Sequence, residues 1–410
     1  MSAPVQSALT VQVPRRSWLC HPLALFLVMW GAVVLLYAMH LSALLIFDTS
    51  MVWRVALWVG VPFTIVMLLW SATSLLLAAP DCAAPETVVL SAESIQAIDR
   101  LLRWAIRGWV GMTLVEIAVS GGIPLLWLLQ GSAKTYFAFG IPSLHGLLNS
   151  LLLAIGLAQI ALFACDGRRR RLLLPGFILL WSVMVVTRNM MTVMLIESAV
   201  LWGLLRGVSG KTLLKSVAAL LVLVLVFGYI GDMRSGAEAF RLLAQPAPEY
   251  PAWLPSGVLW VYIYLTTPIG NLVNTTVYVV PLNDPLFPNS TSLLFPSVLR
   301  QVIYGRSGAS EAFGGNLVSE AFNVSTAYAG AFQDFGRFGI VCFSLLLGAA
   351  ARYAWGRRGL LGLCVYAVVA QCVVLSIFFN HLFYLPVIAQ VPWLCLLLYP
   401  AHRAAEGKSS

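Results

Sequence analysis

The sequence predicts an all-α protein, a polytopic transmembrane helical bundle of about ten spans with one large loop on the outer side of the membrane. Hydrophobic residues make up 60% of the 410-residue chain, charged residues only 10%, and the mean hydropathy is +0.88. Soluble domains carry about 25% charged residues. Several apolar segments reach the roughly 20 residues that a helix needs to cross a bilayer. They lack the alternation of membrane β-strands.

Apolar runs bounded by charged residues predict where the spans lie. With the N-terminus inside, 17 of the 25 Lys and Arg residues are cytoplasmic and 8 are on the outer side, as the positive-inside rule requires. We therefore expect 1–410 to be a single membrane domain with both termini in the cytoplasm and a retained N-terminal tail. The predicted spans are 21–40, 54–78, 104–128, 144–165, 172–187, 190–205, 213–231, 326–349, 359–379 and 382–399.

The longest predicted extramembrane segment, 232–325, lies on the outer side. Its part 256–280 is apolar enough to enter a bilayer, but a full crossing there would move the basic segment "RYAWGRRG" to the outer side. We therefore expect a re-entrant or interfacial element whose helix is broken at Pro268 and Gly270. The rest of the segment is rich in proline and turn residues, which is typical of a structured loop.

Several classes of protein are disfavoured by what the sequence lacks. The net charge of +9 follows from the topology of the basic residues, so nucleic acid is not an expected partner. The seven cysteines lie in or near apolar spans, and no paired Cys or His spacing predicts a disulfide or a metal site. No DxD or Walker A motif is present for a nucleotide. The sequence also has no internal repeat, which is the signature of many transporters.

An arginine interrupts an otherwise apolar stretch in the middle of the chain. Between residues 172 and 205 the only ionisable side chains are Arg188 and Glu197. One helix of that length would measure roughly 51 Å at ~1.5 Å per residue, which is too long for one crossing. We therefore expect two short spans with Arg188 and Asn189 at the hairpin tip, on the floor of an outer cavity. The alternative is an arginine that contacts lipid phosphates from a helix end.

Two carboxylates are predicted to lie inside spans. Glu116 is in the third span and Glu197 in the sixth. Charge within a membrane is costly, so each residue is either a functional candidate or the partner of a neighbouring helix. Two such residues are too few to predict a proton path.

The basic side chains predicted on the outer side require an explanation, because topology disfavours them there. A guanidinium binds two phosphate oxygens at once, so the set predicts an anionic partner. The alternative is that these loop charges pair with Asp232, Glu238 or Glu311. The residues of this outer basic set are Lys134, Arg234, Arg241, Arg300 and Arg306.

Two histidines, His145 and His381, also fall at outer ends of predicted spans. Histidine is suited to general-base chemistry near neutral pH. A capping or packing role is the alternative for each.

A segment that follows the large loop resembles a known family. Residues 315–348 contain Asn323 and Thr326 at the entry to a span, then "DFGRFG" beginning at Asp334. Three other segments agree, "IPSLHGLLN", "FGYIGDMRSG" and "YLTTPIGNL", as does the "TRN" of the predicted hairpin. Together they resemble the Wzy-type O-antigen polymerases, the oligosaccharide repeat unit polymerases of bacteria.

The resemblance implies a fold class and an activity. It implies an all-helical, lipid-dependent glycosyltransferase of the type shared with O-antigen ligases, in the bacterial inner membrane, with the large loop in the periplasm and with neither metal nor cofactor. The donor would be a growing glycan on undecaprenyl pyrophosphate, and the acceptor a lipid-linked repeat unit. Its other partners would be membrane lipids and can include a chain-length regulator protein.

The outer-side residues can be assigned roles in such a reaction. Negative charge develops on the departing pyrophosphate, and we expect Arg188, Arg234 and Arg300 to stabilise it. A base must deprotonate the acceptor hydroxyl.

Sequence reasoning leaves the base and several secondary roles open. The candidate bases are His145, Glu320 and Asp232. The other candidate site residues are Asn323, Thr326, Asp334, Arg306 and Arg241. Two alternative functions also stay open: an O-antigen ligase that attaches the glycan to lipid A core, and a flippase or transporter for the same lipid-linked sugar.

Overall fold

The computed structural model describes residues 9–76, 83–211, 214–215, 217–218, 221–222, 225, 237–251, 253–305 and 316–406. This part of the chain is mostly helical, as predicted. Its helices are α1 (Pro22–Tyr37), α2 (Thr49–Leu76), α3 (Ala92–Ser120), α4 (Pro124–Leu129), α5 (Leu144–Asp166), α6 (Leu173–Met184), α7 (Asn189–Arg206), α8 (Ala237–Ala244), α9 (Ser256–Tyr278), α10 (Pro288–Thr291), α11 (Ser297–Tyr304), α12 (Tyr328–Trp355), α13 (Gly359–Val374), α14 (Leu385–Ile388) and α15 (Gln390–Glu406). Short 3-10 turns lie at Trp18–Cys20, Tyr136–Ala138, Arg169–Leu172, Ser292–Leu294, Glu320–Phe322 and Leu375–Ile377.

Five helical segments in the described part of the chain are long and apolar enough to cross a membrane. They are Thr49–Thr73, Ala92–Leu129, Leu144–Asp166, Tyr328–Trp355 and Gly359–Ile377, and the apolar helices Pro22–Tyr37 and Leu385–Ala401 are shorter. This is consistent with an all-α membrane protein. The count of ten crossings stays a prediction.

The core of the bundle surrounds α13, whose side chains are almost all buried, including Leu363 and Tyr366. Helices α2 and α3 lie at the outside and expose apolar residues such as Leu68 and Leu114. In a membrane protein these faces contact hydrocarbon, where exposed leucine carries no cost.

The N-terminal segment and the loop before α3 form a small sheet that the all-α prediction did not contain. Strand β1 (Leu9–Val13) pairs antiparallel with β2 (Glu86–Leu90), Leu9 opposite Leu90. The pairing places these two segments at the same end of the bundle, separated by α1 and α2.

Arginines gather at this end, which we call the basic end and define by β1, β2, Arg16, Arg171 and Arg358. Arg16 donates to the backbone oxygens of Trp355 and Arg357. Arg358 donates to Glu86 at 3.2 Å. The C-terminal end of α12 and the start of α13 are therefore joined to the sheet.

Arg171 is the most deeply buried of the four consecutive arginines at residues 168–171. Its guanidinium lies 2.8 Å from Asp99 and 2.8 Å from Asp166, and its side chain is only 5% exposed. It joins the end of α5 to the start of α3 and is the centre of an internal ion-pair network.

The opposite end of the bundle, the loop end, is formed by the segment after α1, the end of α8, the start of α5, residues 281–304, the start of α12 and the end of α13. Ser42 Oγ donates to the Ala244 oxygen at 2.7 Å, and the Ala327 N–H donates to the Ser376 oxygen at 2.8 Å. These bonds between distant segments hold the loops together as one layer.

The predicted hairpin around Arg188 is present as two helices, α6 and α7, joined by residues 185–188. Val186 has φ +55°, a left-handed conformation that is costly for a β-branched residue. Helix α6 has only 12 residues, about 18 Å of rise. The tip therefore lies less than a bilayer thickness from the basic end along this arm.

The expectation that Pro268 and Gly270 break the helix in 256–280 was wrong. Helix α9 continues unbroken past both residues. Proline removes the backbone hydrogen bond that the Tyr264 carbonyl would accept, and the helix continues regardless. In the preceding turn Thr266 Oγ1 donates to Tyr262 O at 2.9 Å and Thr267 Oγ1 to Ile263 O at 2.8 Å. The interfacial placement of this helix stays a prediction.

Helix α12 is interrupted within the "DFGRFG" segment. Gly336 has φ +59° and ψ −141°, which breaks the helical backbone. The carbonyls of Gln333 and Asp334 instead accept the N–H groups of Leu282 and Asn283, each at 2.8 Å. The loop thereby supplies donors to the carbonyls that the kink leaves without helical partners, as irregular backbone near a membrane requires.

The kink predicts a steric requirement at Gly339. A Cβ there would collide with the carbonyl oxygen of Ala331, whereas a Cβ at Gly31 in α1 meets nothing within 4 Å. We expect Gly339→Ala to destabilise the protein by about 1–3 kcal/mol, and Gly31→Ala to be neutral or to stabilise by up to about 1 kcal/mol. Thermal unfolding of the purified proteins in detergent measures both. Equal melting temperatures would contradict the close approach at Gly339.

Candidate functional site

A histidine and a carboxylate meet at the loop end, where the first turn of α5 packs on α3. His145 Nδ1 lies 3.1 Å from Glu116 Oε2, and Glu116 Oε1 accepts the Ile141 N–H at 3.0 Å. The Glu116 side chain is 2% exposed and that of His145 is 27% exposed. A carboxylate without a proton only accepts hydrogen bonds, so Nδ1 is the donor to it, and in the neutral ring Nε2 is then the acceptor nitrogen.

The start of α5 is also bonded to the start of α11. Ser143, at φ +72°, accepts the Ser297 N–H through its Oγ at 2.9 Å, and the two hydroxyls lie 3.1 Å apart. Arg300 lies one turn further along α11. The bond therefore brings Arg300 and the histidine to the same part of the loop end.

Arg300 is a half-buried arginine whose Nε and Nη1 are both inaccessible to water and have no hydrogen-bond partner among the described residues. Burial lowers its pKa, and the neighbouring Tyr384 opposes that shift. Arginine nevertheless stays charged at any physiological pH. Buried polar groups are almost always bonded, so these two donors indicate a site for an acceptor.

The second arginine is Arg188, at the N-cap of α7 and exposed at the hairpin tip. Its Nη2 donates to Tyr264 Oη at 3.0 Å, and its guanidinium lies 5.2 Å from the centre of the Tyr264 ring. Desolvation raises the pKa of Tyr136, while the charge of Arg188 lowers it, so Tyr136 lies close to this pair.

Tyr384 links the two arginines. Burial raises the pKa of Tyr384, the charge of Arg300 lowers it and Tyr136 raises it further. Tyr384 thus responds to the charges of Arg300 and Tyr136, and Tyr136 responds to that of Arg188. Together these side chains form what we call the loop-end cluster: Glu116, His145, Arg188, Tyr136, Tyr264, Tyr384 and Arg300.

His381 is not suited to act as a base, although the sequence left that role open. It is 4% exposed, its Nδ1 contacts the Gln371 amide, and its ring stacks on that of Tyr384 at 5.9 Å. Burial lowers its pKa to about 3. It is a neutral packing residue behind the cluster.

Glu320 and Asn323 are exposed on the segment that precedes α12. This segment is held by Asn271 of α9, which donates to the oxygens of Phe322 and Val324 at 2.9 and 2.8 Å and accepts from the Val318 N–H at 2.8 Å. The Phe322 ring lies 5.8 Å from that of Tyr264 in the cluster. Glu320 is therefore beside the cluster, with no described contact to either arginine.

Two other candidates have structural roles. Thr326 is buried and its Oγ1 accepts the Tyr328 N–H at 3.2 Å, which caps the start of α12. Asp334 is fully buried and accepts four hydrogen bonds, from the N–H and Nδ2 of Asn289 and from the N–H and Oγ of Ser290, at 2.6–2.9 Å. The four donors of the loop occupy both oxygens of the Asp334 carboxylate, whereas the Thr326 hydroxyl keeps its own proton to donate. The assignment of these two residues to the site stays a prediction.

The remaining candidates fall outside the cluster or outside the described residues. Arg241 is exposed on α8, whose end bonds to the segment after α1, and no described contact joins it to the cluster. The predicted base Asp232 and the predicted arginines Arg234 and Arg306 lie outside the described residues.

Sequence reasoning missed the partners that assemble the cluster. Glu116 and His145 were each considered alone, because a separation of 29 residues carries no local signal. Tyr264 and Asn271 both lie within "YLTTPIGNL", which was noted only for its resemblance. Tyr384 follows His381 in "HLFYLP", and its position near Arg300 depends on the tertiary fold.

The fold and the loop-end cluster define an all-α membrane protein with a His–Glu dyad and two arginines at one end of its bundle. No family model, curated protein or solved structure matches this chain.

The four bonds to Asp334 predict that its carboxylate holds the loop of residues 281–294. Asp334→Asn replaces one acceptor oxygen by an NH₂ group that opposes bound donors, so we expect a loss of about 1–3 kcal/mol in the free energy of unfolding. Asp284→Asn is the matched control, because Asp284 accepts one bond, from the Leu286 N–H. Urea or thermal unfolding in detergent compares them, and an equal effect of both substitutions would contradict a special role for Asp334.

Proposed function

We propose that this protein is a lipid-dependent glycosyltransferase of the O-antigen polymerase type. It would transfer a growing glycan from undecaprenyl pyrophosphate to a lipid-linked repeat unit on the periplasmic face of the bacterial inner membrane. The observation that carries the proposal is the loop-end cluster, which combines an oriented histidine with two arginines that no carboxylate neutralises within the described structure.

The dyad supplies the base. In the proposed reaction His145 Nε2 takes the proton of the acceptor hydroxyl as that oxygen bonds to the anomeric carbon of the donor sugar. Glu116, which holds Nδ1–H at 3.1 Å, stabilises the imidazolium that forms. Of the three bases that the sequence left open, His145 is the best supported, because Glu320 has no described orienting partner.

The arginines support departure of the leaving group. As the new bond forms, the bond between the anomeric carbon and the pyrophosphate oxygen breaks, and undecaprenyl pyrophosphate leaves as an anion. Arg300 and Arg188 would receive this charge, and the buried donors of Arg300 would do so at little cost in reorganisation. The two unbonded nitrogens of Arg300 are available for this purpose.

The exposure of the cluster fits a large substrate. Arg188 and Tyr136 are exposed, whereas Arg300 and Tyr384 are partly or largely covered. A lipid-linked sugar could therefore reach the buried donors from the exposed side of the hairpin tip. Tyrosines beside both arginines offer hydroxyl groups and ring faces for sugar contacts.

Substitution of each arginine tests the anion role. We expect Arg300→Ala and Arg188→Ala each to lower the rate of polymer formation by about 10²–10³-fold, the usual effect of removing one charge-stabilising donor. Arg241→Ala, an exposed arginine outside the cluster, should change the rate less than about twofold. The measurement is polymer length and released undecaprenyl pyrophosphate from purified protein in liposomes with lipid-linked units.

The cellular counterpart of this test separates polymerase from ligase. Cells with Arg188→Ala should retain core plus one repeat unit and lose long chains, whereas loss of a ligase leaves core alone. Normal chain lengths at normal expression would overturn the role of Arg188. In liposomes, redistribution of lipid-linked units without polymer would indicate a flippase.

The dyad predicts unequal effects of its two members. We expect His145→Ala to lower the rate by about 10²–10⁴-fold, as for loss of a general base. Glu116→Gln should lower it less, with kcat falling more than KM changes, because the amide still contacts Nδ1 but cannot balance the imidazolium charge. His40→Ala is the control, since the hydrogen-bond partners of His40 among the described residues are Leu45 and Thr49, near the same end. An unchanged kcat in His145→Ala would exclude it as the base.

A further inference from the structure

The first half of α3 carries a basic face that the proposed function does not use. Arg100, Arg103 and Arg107 are all exposed. Their spacing of three and four residues places them on one side of the helix, across about 10 Å of rise. This face is at the basic end, and its Arg103 lies one helical turn after Asp99, the acid that binds the buried Arg171.

The positive charge of this face is not cancelled within the described structure. None of the three arginines is in an ion pair there. Asp99, the adjacent acid, is bonded to Arg171 at 2.8 Å, and Glu93 in the first turn of α3 is the remaining carboxylate on the helix before Glu116. This contrasts with Arg16, Arg171 and Arg358, which all bind carboxylates of the protein.

A tryptophan marks the level at which the face meets the membrane. Trp104 is 63% exposed, lies between the arginines in sequence, and its ring centre is 5.0 Å from the Arg107 guanidinium. From Val110 onward the exposed side chains of α3 are apolar, including Leu114 and Val119. Tryptophan and arginine at the end of an apolar stretch are typical of the headgroup region.

After Trp104, the same side of α3 carries two glycines and hence no side chains at these two positions. Gly108 and Gly111 are exposed, and a Cβ built on either meets nothing within 4 Å. They follow Trp104 by four and seven residues, so they lie on its face of the helix. The two glycines leave a shallow shelf in the apolar region, directly continuous with the arginines above it.

We propose that this face binds one anionic phospholipid of the cytoplasmic leaflet, with its phosphate on Arg100, Arg103 and Arg107 and an acyl chain along Gly108 and Gly111. The guanidinium groups match phosphate oxygens, and the shelf matches a chain that enters the hydrocarbon at that depth. If the three arginines served only to set the membrane topology, their charges would be needed but the two open glycines would not. The proposal does not depend on the proposed function.

Native mass spectrometry of the full-length protein can test the charged part of this site. The protein is purified in detergent with equal amounts of phosphatidylglycerol and phosphatidylcholine, and bound lipid is counted. We expect one retained phosphatidylglycerol, and at least about a tenfold loss of its affinity in the variant Arg100→Gln, Arg103→Gln, Arg107→Gln.

The control is Arg168→Gln, Arg169→Gln, Arg170→Gln, which removes the same charge from exposed residues at the same end. It should leave the retained lipid in place. An equal loss in both variants would overturn the site, because it would show only general attraction to the basic end.

A second variant tests the shelf without any change of charge. Gly108→Leu with Gly111→Leu should lower phosphatidylglycerol retention by at least about tenfold, because leucine fills the space for the acyl chain. Gly176→Leu, an equally open glycine on α6, is the control and should have no effect. Unchanged retention in the double variant would overturn the proposal, and this variant keeps the test decisive if the arginine variant fails to insert.

Discussion

The loop end of this protein depends on the buried carboxylate of Asp334. Its four hydrogen bonds hold Asn289 and Ser290 against α12, and the break at Gly336 opens the backbone that the same loop then satisfies. Asn380, in the segment after α13, donates to the Ser290 oxygen at 3.0 Å. The loop is therefore bonded both to α12 and to the segment that follows α13. The chain between these bonds and the bond from Ser297 to Ser143 is short, and the position of Arg300 follows from both.

Arginines in this molecule fall into two groups with different physics. Those that bond to carboxylates at the basic end, such as Arg16 and Arg171, join helix ends. Among the described residues, Arg188 donates to Tyr264, and Nε and Nη1 of Arg300 have no hydrogen-bond partner. In surroundings of low dielectric constant an uncancelled guanidinium attracts an anion strongly. The unpaired group therefore defines where ligands are expected.

Helix α3 connects the two ends. Its first turns carry the exposed arginines beside Trp104, and its last third carries Glu116, which orients His145. Because a helix is rigid over its length, the depth at which lipid headgroups hold the basic face also sets the depth of the dyad. The helix has 29 residues, about 43 Å of rise, enough to reach from one headgroup region to the other.

The sequence by itself determined the all-α membrane class, because hydropathy is a local property, and it indicated the break near Arg188, because a charge in a long apolar run marks a boundary. It also selected His145, Arg188 and Arg300 by residue type and predicted side. Only the tertiary structure decided that Glu116 orients His145, that the Asp334 carboxylate is bonded to the loop, and that α9 runs unbroken. The first two depend on hydrogen-bond partners that are tens of residues away in the sequence. The hydrophobic pattern of a sequence does not show which distant residues are hydrogen-bonded to each other.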